Sequence, residues 1–138
     1  MTATAAYAKP LPKWTAWSRP FWEGARRHEL LIQRCGACHR AVFFPKVFCP
    51  HCLSRGLGWE RASGRGTIYS FTVVRNNPPS PFLGDVPFVI AIIELEEGVR
   101  LMSNVIECDP EALRCGQAVE VVFEDVTSEV SLPKFRRR

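Results

Sequence analysis

Two cysteine pairs, Cys35-Gly36-Ala37-Cys38 and Cys49-Pro50-His51-Cys52, decide how the first part of this chain folds. Each pair is a Cys-x-x-Cys knuckle, and ten residues separate the two knuckles. This spacing can place four thiolates tetrahedrally around one ion. Zinc suits four sulfur ligands, and four ligands leave no open position for water or substrate. The sequence therefore predicts one structural Zn²⁺ held by Cys35, Cys38, Cys49 and Cys52.

The four cysteines could also form disulfides, remain unrelated buried thiols, or hold iron in a site of the rubredoxin type. Residues 1–7 show no basic segment followed by an apolar stretch, so we expect no signal peptide and a cytoplasmic location, which disfavours disulfides. The duplicated spacing disfavours unrelated thiols. Iron accepts the same four ligands and stays an open alternative. Cys108 and Cys115 lack the spacing and are expected to be small buried apolar residues.

The segments around the knuckles predict an arm, a helix and a ribbon. Residues 1–17 have no clear period and are expected to form a loosely ordered arm. Ser18 as a cap and Pro20 in the first turn predict a helix over residues 19–28. Its apolar stripe would comprise Phe21, Trp22, Ala25 and Leu30. Extended segments at 30–34 and 41–45 alternate with the knuckles, in the order of a zinc ribbon.

After Cys52 the pattern becomes all-β. Five strands are predicted, over residues 67–74, 88–95, 99–106, 119–123 and 130–135, with a short helical turn over 109–114 between the third and fourth strands. Tyr69, Phe71 and Val73 are expected to share one face of the first of these strands. This arrangement is that of an OB-type barrel. The C-terminal Arg136, Arg137 and Arg138 are expected to form a solvated tail.

The predicted fold is thus mainly β: an N-terminal arm and helix (1–29), a rubredoxin-like zinc ribbon (30–57), and a five-stranded OB-fold barrel with a C-terminal tail (58–138). The net charge of +4 is too mild for a nucleic-acid signature. The longest apolar run, residues 86–93, is too short to span a bilayer, so no membrane partner is expected.

Catalytic motifs are missing from the sequence. It contains no Gly-x-Ser-x-Gly elbow, no phosphate-binding glycine loop and no His-Glu-x-x-His pair. His28 is interpreted as a cationic residue at a helix C-terminus. His39 and His51 lie beside the cysteine ligands and are expected at the surface or in contact with those ligands. We therefore do not expect the chain to be an enzyme on its own.

The order of these features resembles the DUF35 family of zinc-ribbon OB-fold proteins associated with acyl-CoA metabolism. The resemblance spans roughly residues 20–125. It rests on Phe21-Trp22-Glu23-Gly24, the run from His28 to Cys38, Phe44-Pro45, the second knuckle, Trp59, the run from Ser63 to Thr72, Pro87-Phe88-Val89, and the run from Glu94 to Leu101.

The resemblance implies an accessory role in a hetero-oligomer. Members of the family look like small, non-catalytic subunits of thiolase-like enzymes: thiolases, acyltransferases or condensing enzymes, or retro-aldolases of steroid side-chain breakdown. The partner would supply the reacting groups, while this chain supports the partner's fold and helps to bind the acyl-CoA. Acyl-CoA would thus be a shared ligand, in lipid or steroid metabolism.

Seven residues are candidates for contact with acyl-CoA or the partner. Basic side chains would meet CoA phosphates and aromatic ones would cover apolar surface; the candidates are Phe21, Trp22, Arg26, Arg27, Lys46, Arg65 and Phe82. Each can also be explained as a solvated or core residue. Two other functions stay open: a module that binds single-stranded nucleic acid, since zinc ribbons and OB barrels serve that use, and a rubredoxin-like electron carrier.

Overall fold

One α-helix precedes two β-sheets in the computed structural model, which describes residues 7–138. The helix, α1, spans Arg19–Arg26. Residues 7–15 form no helix or strand, and the expected arm continues into residues 1–6, outside the described range. In the described part of the chain, no helix combines the length and apolar character needed to cross a membrane.

Helix α1 confirms the predicted apolar stripe and begins at the predicted residue, but it lacks the predicted side-chain cap and ends two residues earlier. Phe21, Ala25 and Leu30 are buried. Ser18 does not cap the helix with its side chain; instead Thr15 Oγ1 accepts the Ser18 N–H at 3.2 Å. The helix ends at Arg26 because His28 takes a left-handed conformation (φ 61°). The Glu29 N–H then bonds back to the Gly24 carbonyl at 2.8 Å, as in a Schellman motif.

The ribbon is a three-stranded antiparallel sheet. Strand β1 (Leu31–Cys35) lies between β2 (Ala41–Val42) and β3 (Leu57–Arg61). The extended segment expected at 41–45 is thus a strand of only two residues. Strand β3 was not predicted, and it pairs with β1 along all five of its residues. The expected domain boundary, between residues 57 and 58, falls inside this ribbon strand.

The second sheet is a closed five-stranded barrel of order β4-β5-β6-β8-β7. Its strands are β4 (Arg65–Val74), β5 (Phe88–Leu95), β6 (Arg100–Val105), β7 (Ala118–Asp125) and β8 (Ser131–Arg137). Two 3-10 helices, Ser80–Asp85 and Pro110–Ala112, lie in the β4–β5 and β6–β7 connections. The barrel confirms the predicted OB fold, including the helical turn between its third and fourth strands.

Strand β4 contains a bulge at Tyr69 that the sequence pattern did not reveal. Ile68 pairs with Ile93 while Ser70 pairs with Ile92, so Tyr69 is the extra residue. The bulge reverses which residues face the core. Ile68 is therefore buried, Phe71 and Val73 pack against the core, and Tyr69 is exposed. The expectation that Tyr69 shares a face with Phe71 and Val73 is wrong.

The C-terminal arginines do not form a free tail. Strand β8 includes Arg136 and Arg137 and pairs antiparallel with β7 over seven residues. Arg136 Nε donates to Glu120 Oε1 at 2.9 Å, and the Arg138 N–H donates to the Ala118 carbonyl at 3.1 Å. The expected solvated tail is therefore part of the barrel wall, because β8 is needed to close the sheet.

One apolar core runs through both sheets. Phe21 of α1 and Ile32 of β1 belong to the same buried cluster as the barrel residues Ile68, Ile93 and Phe135. A smaller cluster beneath the knuckles contains Cys35, Val42 and Cys49. The helix and ribbon are thus packed onto the barrel.

Candidate metal centre and apolar grooves

The four predicted cysteines come together at the end of β1, whose last residue is Cys35. All four Sγ atoms lie within 4.8 Å of one another. Cys35 Sγ is 3.5 Å from Cys52 Sγ, and Cys38 Sγ is 3.7 Å from Cys49 Sγ. A tetrahedral Zn–S₄ centre with bonds of about 2.3 Å separates its sulfurs by about 3.8 Å. The arrangement therefore fits one four-coordinate metal ion of structural type.

Backbone N–H groups support the sulfurs of each knuckle. Ala37 and Cys38 donate to Cys35 Sγ at 3.4 and 3.5 Å, and His51 donates to Cys49 Sγ at 3.4 Å. The Cys38 N–H is the main reason that the pKa of the Cys35 thiol falls to about 6. The pKa of the Cys52 thiol, by contrast, despite a hydrogen bond from the Ser54 backbone, is raised to about 11 by its contact with Cys35. A thiolate is the form that binds metal. His39 and His51 are exposed and lie outside the cysteine cluster.

Gln33 fixes the loop that leads into the second knuckle. This buried side chain donates from Nε2 to the Lys46 carbonyl at 3.0 Å and accepts the Lys46 N–H at Oε1, at 2.7 Å. The amide thus replaces a strand partner for Lys46, which has none in the ribbon sheet. Sequence reasoning missed this residue; its only signal was a polar side chain on the same face of β1 as Leu31 and Cys35.

A solvent-open apolar groove lies between the ribbon–helix layer and the barrel. It encloses about 510 Å³. One wall consists of Phe21 and Trp22 of α1 with Phe43 and Phe44 of the ribbon; the other consists of residues 100–104 of β6 and 132–134 of β8. We call it the inter-layer groove. Met102, at 69% exposure, projects beside it.

Strands β6 and β8, which line one wall of the inter-layer groove, share little backbone pairing. Their parallel pairing is restricted to Val105 opposite Phe135. Further along, the Ser103 hydroxyl donates to the Pro133 carbonyl at 2.8 Å in place of a backbone ladder. Pro133 has no N–H to donate. In this part of the barrel wall a side-chain hydrogen bond, and not a backbone ladder, joins the two strands beside the groove.

A second groove continues past Met102 toward the β4–β5 connection. It encloses about 370 Å³, and its lining residues include Pro79, Phe82, Phe88 and Ile90. Met102, Ser103 and Asn104 line both grooves. Together the two form a continuous apolar path across β6.

The N-terminal arm packs beside the second groove. Lys9 forms an ion pair with Asp85 of the first 3-10 helix, and this bond raises the pKa of Lys9. The Lys9 ammonium also lies 5.6 Å from the centre of the Phe82 ring. Cys108 is half-buried nearby, and burial raises the pKa of its thiol. Cys115 is exposed, contrary to the expectation that it is buried.

The seven candidate contact residues do not converge on one site. Phe21 and Trp22 line the inter-layer groove and Phe82 lines the second groove. Lys46 is exposed on the ribbon. The three arginines are exposed. Arg26 lies in a shallow depression with Trp14 and Glu129, and Arg27 pairs with Glu29 at 3.5 Å. Arg65 makes a two-point ion pair with Glu96 at 3.0 and 3.2 Å.

His28 links the helix to the barrel, which the sequence did not reveal. Its Nε2 lies 2.8 Å from Asp125 Oδ1 of β7. The imidazole also stacks on the Phe123 ring, with centroids 5.2 Å apart and planes inclined by 6°. His28 does follow the helix C-terminus, as interpreted from the sequence, but its side chain is held by a partner 97 residues away.

Comparison with known proteins identifies both parts of the chain. Residues 22–58 match the rubredoxin-like zinc ribbon domain of ChsH2, and residues 59–124 match its C-terminal OB-fold domain. A solved structure described as an Ltp2–ChsH2(DUF35) aldolase has a chain with a TM-score of 0.83 and 33% identity to this one, covering 92% of this chain and 98% of that chain.

Similar sequences occur in proteins with different descriptions. A probable enoyl-CoA hydratase alpha subunit of Thermomonospora curvata is 38% identical over 117 residues, which are 84% of this chain and 36% of that protein. The chain therefore spans about a third of that hydratase subunit. A DUF35 domain-containing scaffold protein of Methanothermobacter thermautotrophicus is 38% identical over 105 residues, which are 75% of this chain and 78% of that protein. By this match along most of both sequences, the chain belongs to the DUF35 family.

Proposed function

We propose that this chain is a non-catalytic accessory subunit of a thiolase-like enzyme, that it supports the fold of that enzyme, and that it helps to bind the acyl-CoA substrate. The enzyme would be a thiolase, an acyltransferase or condensing enzyme, or a retro-aldolase. The inter-layer groove is the observation that carries the proposal. It is a large apolar surface, built by both halves of the chain and left open to solvent.

The polar groups of the groove are suited to binding rather than to chemistry. The Ser103 hydroxyl is bonded to the Pro133 carbonyl, and Asn104 Nδ2 donates to the Val89 carbonyl at 2.7 Å. Arg100 pairs with Glu94 at 2.8 Å, and Lys134 pairs with Glu124. The lining includes neither a histidine nor a cysteine. No nucleophile with an adjacent base is therefore assembled there.

The continuous path across β6 fits an elongated ligand with an apolar part. An acyl chain and a pantetheine arm are long and narrow, and ligand pockets are mostly apolar with a few polar groups that orient the ligand. Because the path is open along one side, a partner subunit would be needed to enclose the ligand. The acyl-CoA site would then be shared between the two chains.

The similar proteins support a subunit role. One is described as part of an aldolase with a second component, one as a scaffold protein and one as an alpha subunit. Each description implies that the related chain works with other protein. We carry this assembly over to the present chain as part of the proposal, together with the acyl-CoA ligand.

Co-expression with thiolase-like subunits of the same organism tests the proposal. We expect one of them to co-elute with this chain on size exclusion, and its activity on an acyl-CoA to depend on this chain. Met102→Glu, which puts a charge into the path, should raise the KM for acyl-CoA at least about fivefold, whereas Tyr69→Ser, on a different strand, should not. Failure of every thiolase-like subunit to bind or require the chain would overturn the proposal.

A further inference from the structure

The charge of the chain is divided between its two halves, which the mild overall value conceals. Residues 1–59 contain nine Lys and Arg against two carboxylates, and residues 60–138 contain nine against twelve. Residues 30–59, which form most of the ribbon, contain no Asp or Glu. A bound Zn²⁺ with four thiolates adds a charge of about −2, and the first half stays clearly positive.

Large apolar side chains are exposed on the same half. Ten such side chains are exposed in the described part of the chain, and seven of them lie between residues 11 and 53: Leu11, Trp14, Trp17, Phe44, Val47, Phe48 and Leu53. Isolated exposed apolar residues are ordinary, but a concentration of them marks an interaction surface.

These two features meet in one shallow depression between the arm and the ribbon. It encloses about 610 Å³, and its lining includes Trp17, Phe44, Val47, Lys13 and Lys46, with no carboxylate. We call these five residues the ribbon face. Phe48, which follows Val47 in the chain, has the Arg55 guanidinium over its ring at 4.8 Å.

The lysines of the ribbon face have no partner in the described structure. Neither Lys13 nor Lys46 forms an ion pair within residues 7–138. The barrel lysine Lys134, by contrast, pairs with a carboxylate of its own chain. Both lysines are exposed, and their ammonium groups are therefore free to pair with carboxylates of another molecule.

We propose that the ribbon face is the surface by which this chain binds its enzyme partner, and that the partner presents an apolar centre flanked by Asp or Glu side chains. This inference rests on the proposed function and adds where the partner binds and what chemistry it offers. Aromatic residues at the centre of an interface supply most of its affinity. Complementary charges around them speed and orient the encounter.

A protein fits this face better than a nucleic acid does. Nucleic-acid sites rely on many basic side chains that contact phosphates. In the ribbon face the apolar side chains outnumber the basic ones, three to two. Val47 adds an exposed aliphatic side chain, which neither phosphate contacts nor base stacking uses.

The test uses two substitutions on the ribbon face, each with a matched control on the barrel. Val47→Asp and Leu83→Asp both put a carboxylate at an exposed apolar position, at 46% and 56% exposure. Lys46→Glu and Arg114→Glu both reverse an exposed positive charge. The hydrogen bonds between Gln33 and Lys46 involve only the Lys46 backbone, so Lys46→Glu leaves them intact.

The affinity of the full chain for the co-expressed thiolase-like subunit is measured by biolayer interferometry at low and high NaCl, about 50 and about 500 mM, which span weak and strong charge screening. We expect Val47→Asp to weaken binding at least about tenfold, and Lys46→Glu to weaken it about threefold to tenfold and to flatten its salt dependence. The control variants should bind within about twofold of the wild type. Thermal melts and metal content verify that all four variants are folded.

The outcomes separate this inference from the proposed function. If the wild type binds no thiolase-like subunit, the proposed function fails and this inference fails with it. If the wild type binds and the ribbon-face variants bind equally well, or if Leu83→Asp is the variant that abolishes binding, only the inference is overturned. Salt-sensitive binding of a short oligo-dT that Val47→Asp abolishes, with no loss of the protein complex, would assign the face to nucleic acid and also overturn it.

Discussion

Gln33 shows how a single buried amide can take the place of a strand. Its side chain is 3% exposed and satisfies both the N–H and the carbonyl of Lys46. A buried polar group left without its partner costs about 1–3 kcal/mol. The loop between β2 and the second knuckle therefore depends on this one residue.

We expect Gln33→Leu to lower the free energy of unfolding by about 2 kcal/mol, because both Lys46 backbone groups lose their partner while the leucine stays buried. Urea denaturation of the zinc-loaded protein measures the change. Gln117→Leu is the control, since the Gln117 side chain makes a single long bond of 3.4 Å to the Arg114 N–H, and it should cost less than about 1 kcal/mol. Equal effects of the two variants would contradict this role for Gln33.

The metal site gives the second prediction at this scale. Purified protein should contain one zinc per chain and be colourless, because the geometry fits a closed four-sulfur centre. Cys49→Ser should lose most of the metal, whereas Cys115→Ser, at an exposed cysteine outside the cluster, should keep it. Elemental analysis and the visible spectrum measure both. A red protein containing iron would show that the site is of the rubredoxin type.

Sequence reasoning found the cysteines and missed Gln33 for one physical reason. Knuckle ligands are defined by local spacing, since only two residues separate the members of each pair. The partners of Gln33 lie 13 residues away and are backbone groups, which every residue has. Only the folded path of the loop shows which backbone group the amide meets. The same holds for His28, which follows α1 and whose carboxylate partner lies on strand β7 of the barrel.

At the scale of a secondary-structure element, strand β4 requires glycine at position 66 because of close packing and not because of its backbone angles. Gly66 lies between β5 and β7, opposite Leu95 on one side and Val119 on the other. A Cβ built at Gly66 would overlap the Glu94 carbonyl oxygen and lie 3.1 Å from the Leu95 Cα. Strands β4 and β5 approach each other so closely at Gly66 that no side chain fits there.

Gly66→Ala should therefore destabilise the protein by about 2–4 kcal/mol, since the clash is with backbone that cannot move without opening the barrel. Gly84→Ala is the matched control, because a Cβ at Gly84 meets nothing within 4 Å, and it should change stability by less than about 0.5 kcal/mol. Thermal unfolding monitored by circular dichroism compares the two. A Gly66→Ala protein with the wild-type melting temperature would contradict the close approach.

Elements with a regular pattern were predictable, and elements whose pattern is interrupted were not. Strand β5 alternates buried and half-buried residues along its whole length, and its predicted span of 88–95 is confirmed. The bulge at Tyr69 was hidden because an extra residue leaves the apolar composition unchanged. Strand β3 was missed because it contains Gly58, Glu60 and Arg61 and has no buried residue; its pairing with β1 keeps it in place.

The Asp125 carboxyl of β7, which is bonded to Ser131 of β8 and to His28 after α1, should make stability depend on pH. The Ser131 hydroxyl, followed by His28, holds the pKa of the Asp125 carboxyl below its usual value. A carboxyl with a lowered pKa in the folded state stabilises the protein above its ordinary pKa of about 3.9. This stabilisation is lost as the pH falls through the lowered pKa of the folded protein.

Asp125→Asn should therefore be less stable than the wild type at a pH of about 6, and the difference should shrink as the pH falls below about 4. Urea midpoints measured from about pH 2.5 to about pH 7 test this. Asp109→Asn is a useful control, since Asp109 Oδ1 caps the second 3-10 helix by accepting the Glu111 N–H at 3.0 Å and has no contact with α1. A constant difference between Asp125→Asn and wild type at every pH would argue against a charge effect.

At the scale of the whole molecule, the surface divides the chain into two different halves, but the core does not. The excess of positive charge and most of the exposed large apolar residues lie in the first half, whereas the buried residues form a cluster that includes both halves. The two halves of the chain thus share one core although their surfaces differ in charge and in exposed apolar residues. Because one core joins the two halves, we expect the ribbon face and the inter-layer groove to keep a fixed position relative to each other.

Substitution of Phe21 tests whether the ribbon and the barrel unfold together. It is 2% exposed, contacts Trp22 edge to face at 4.9 Å and Phe43 at 5.5 Å, and belongs to the core cluster that contains Phe135 of the barrel. Phe21→Ala should cost about 3–5 kcal/mol through the cavity that it leaves. Trp17→Ala, at an exposed position, should cost less than about 1 kcal/mol.

Two probes of unfolding then show whether Phe21→Ala destabilises the ribbon and the barrel equally. Absorbance of Co²⁺ substituted for zinc reports on the ribbon, and amide hydrogen exchange of β5 and β7 reports on the barrel. Because one core joins the layers, both probes should shift to lower urea by the same amount in Phe21→Ala, and their transitions should coincide in both proteins. If the cobalt signal is lost well before the barrel amides exchange, the ribbon is an independent unit, and α1 does not couple it to the barrel.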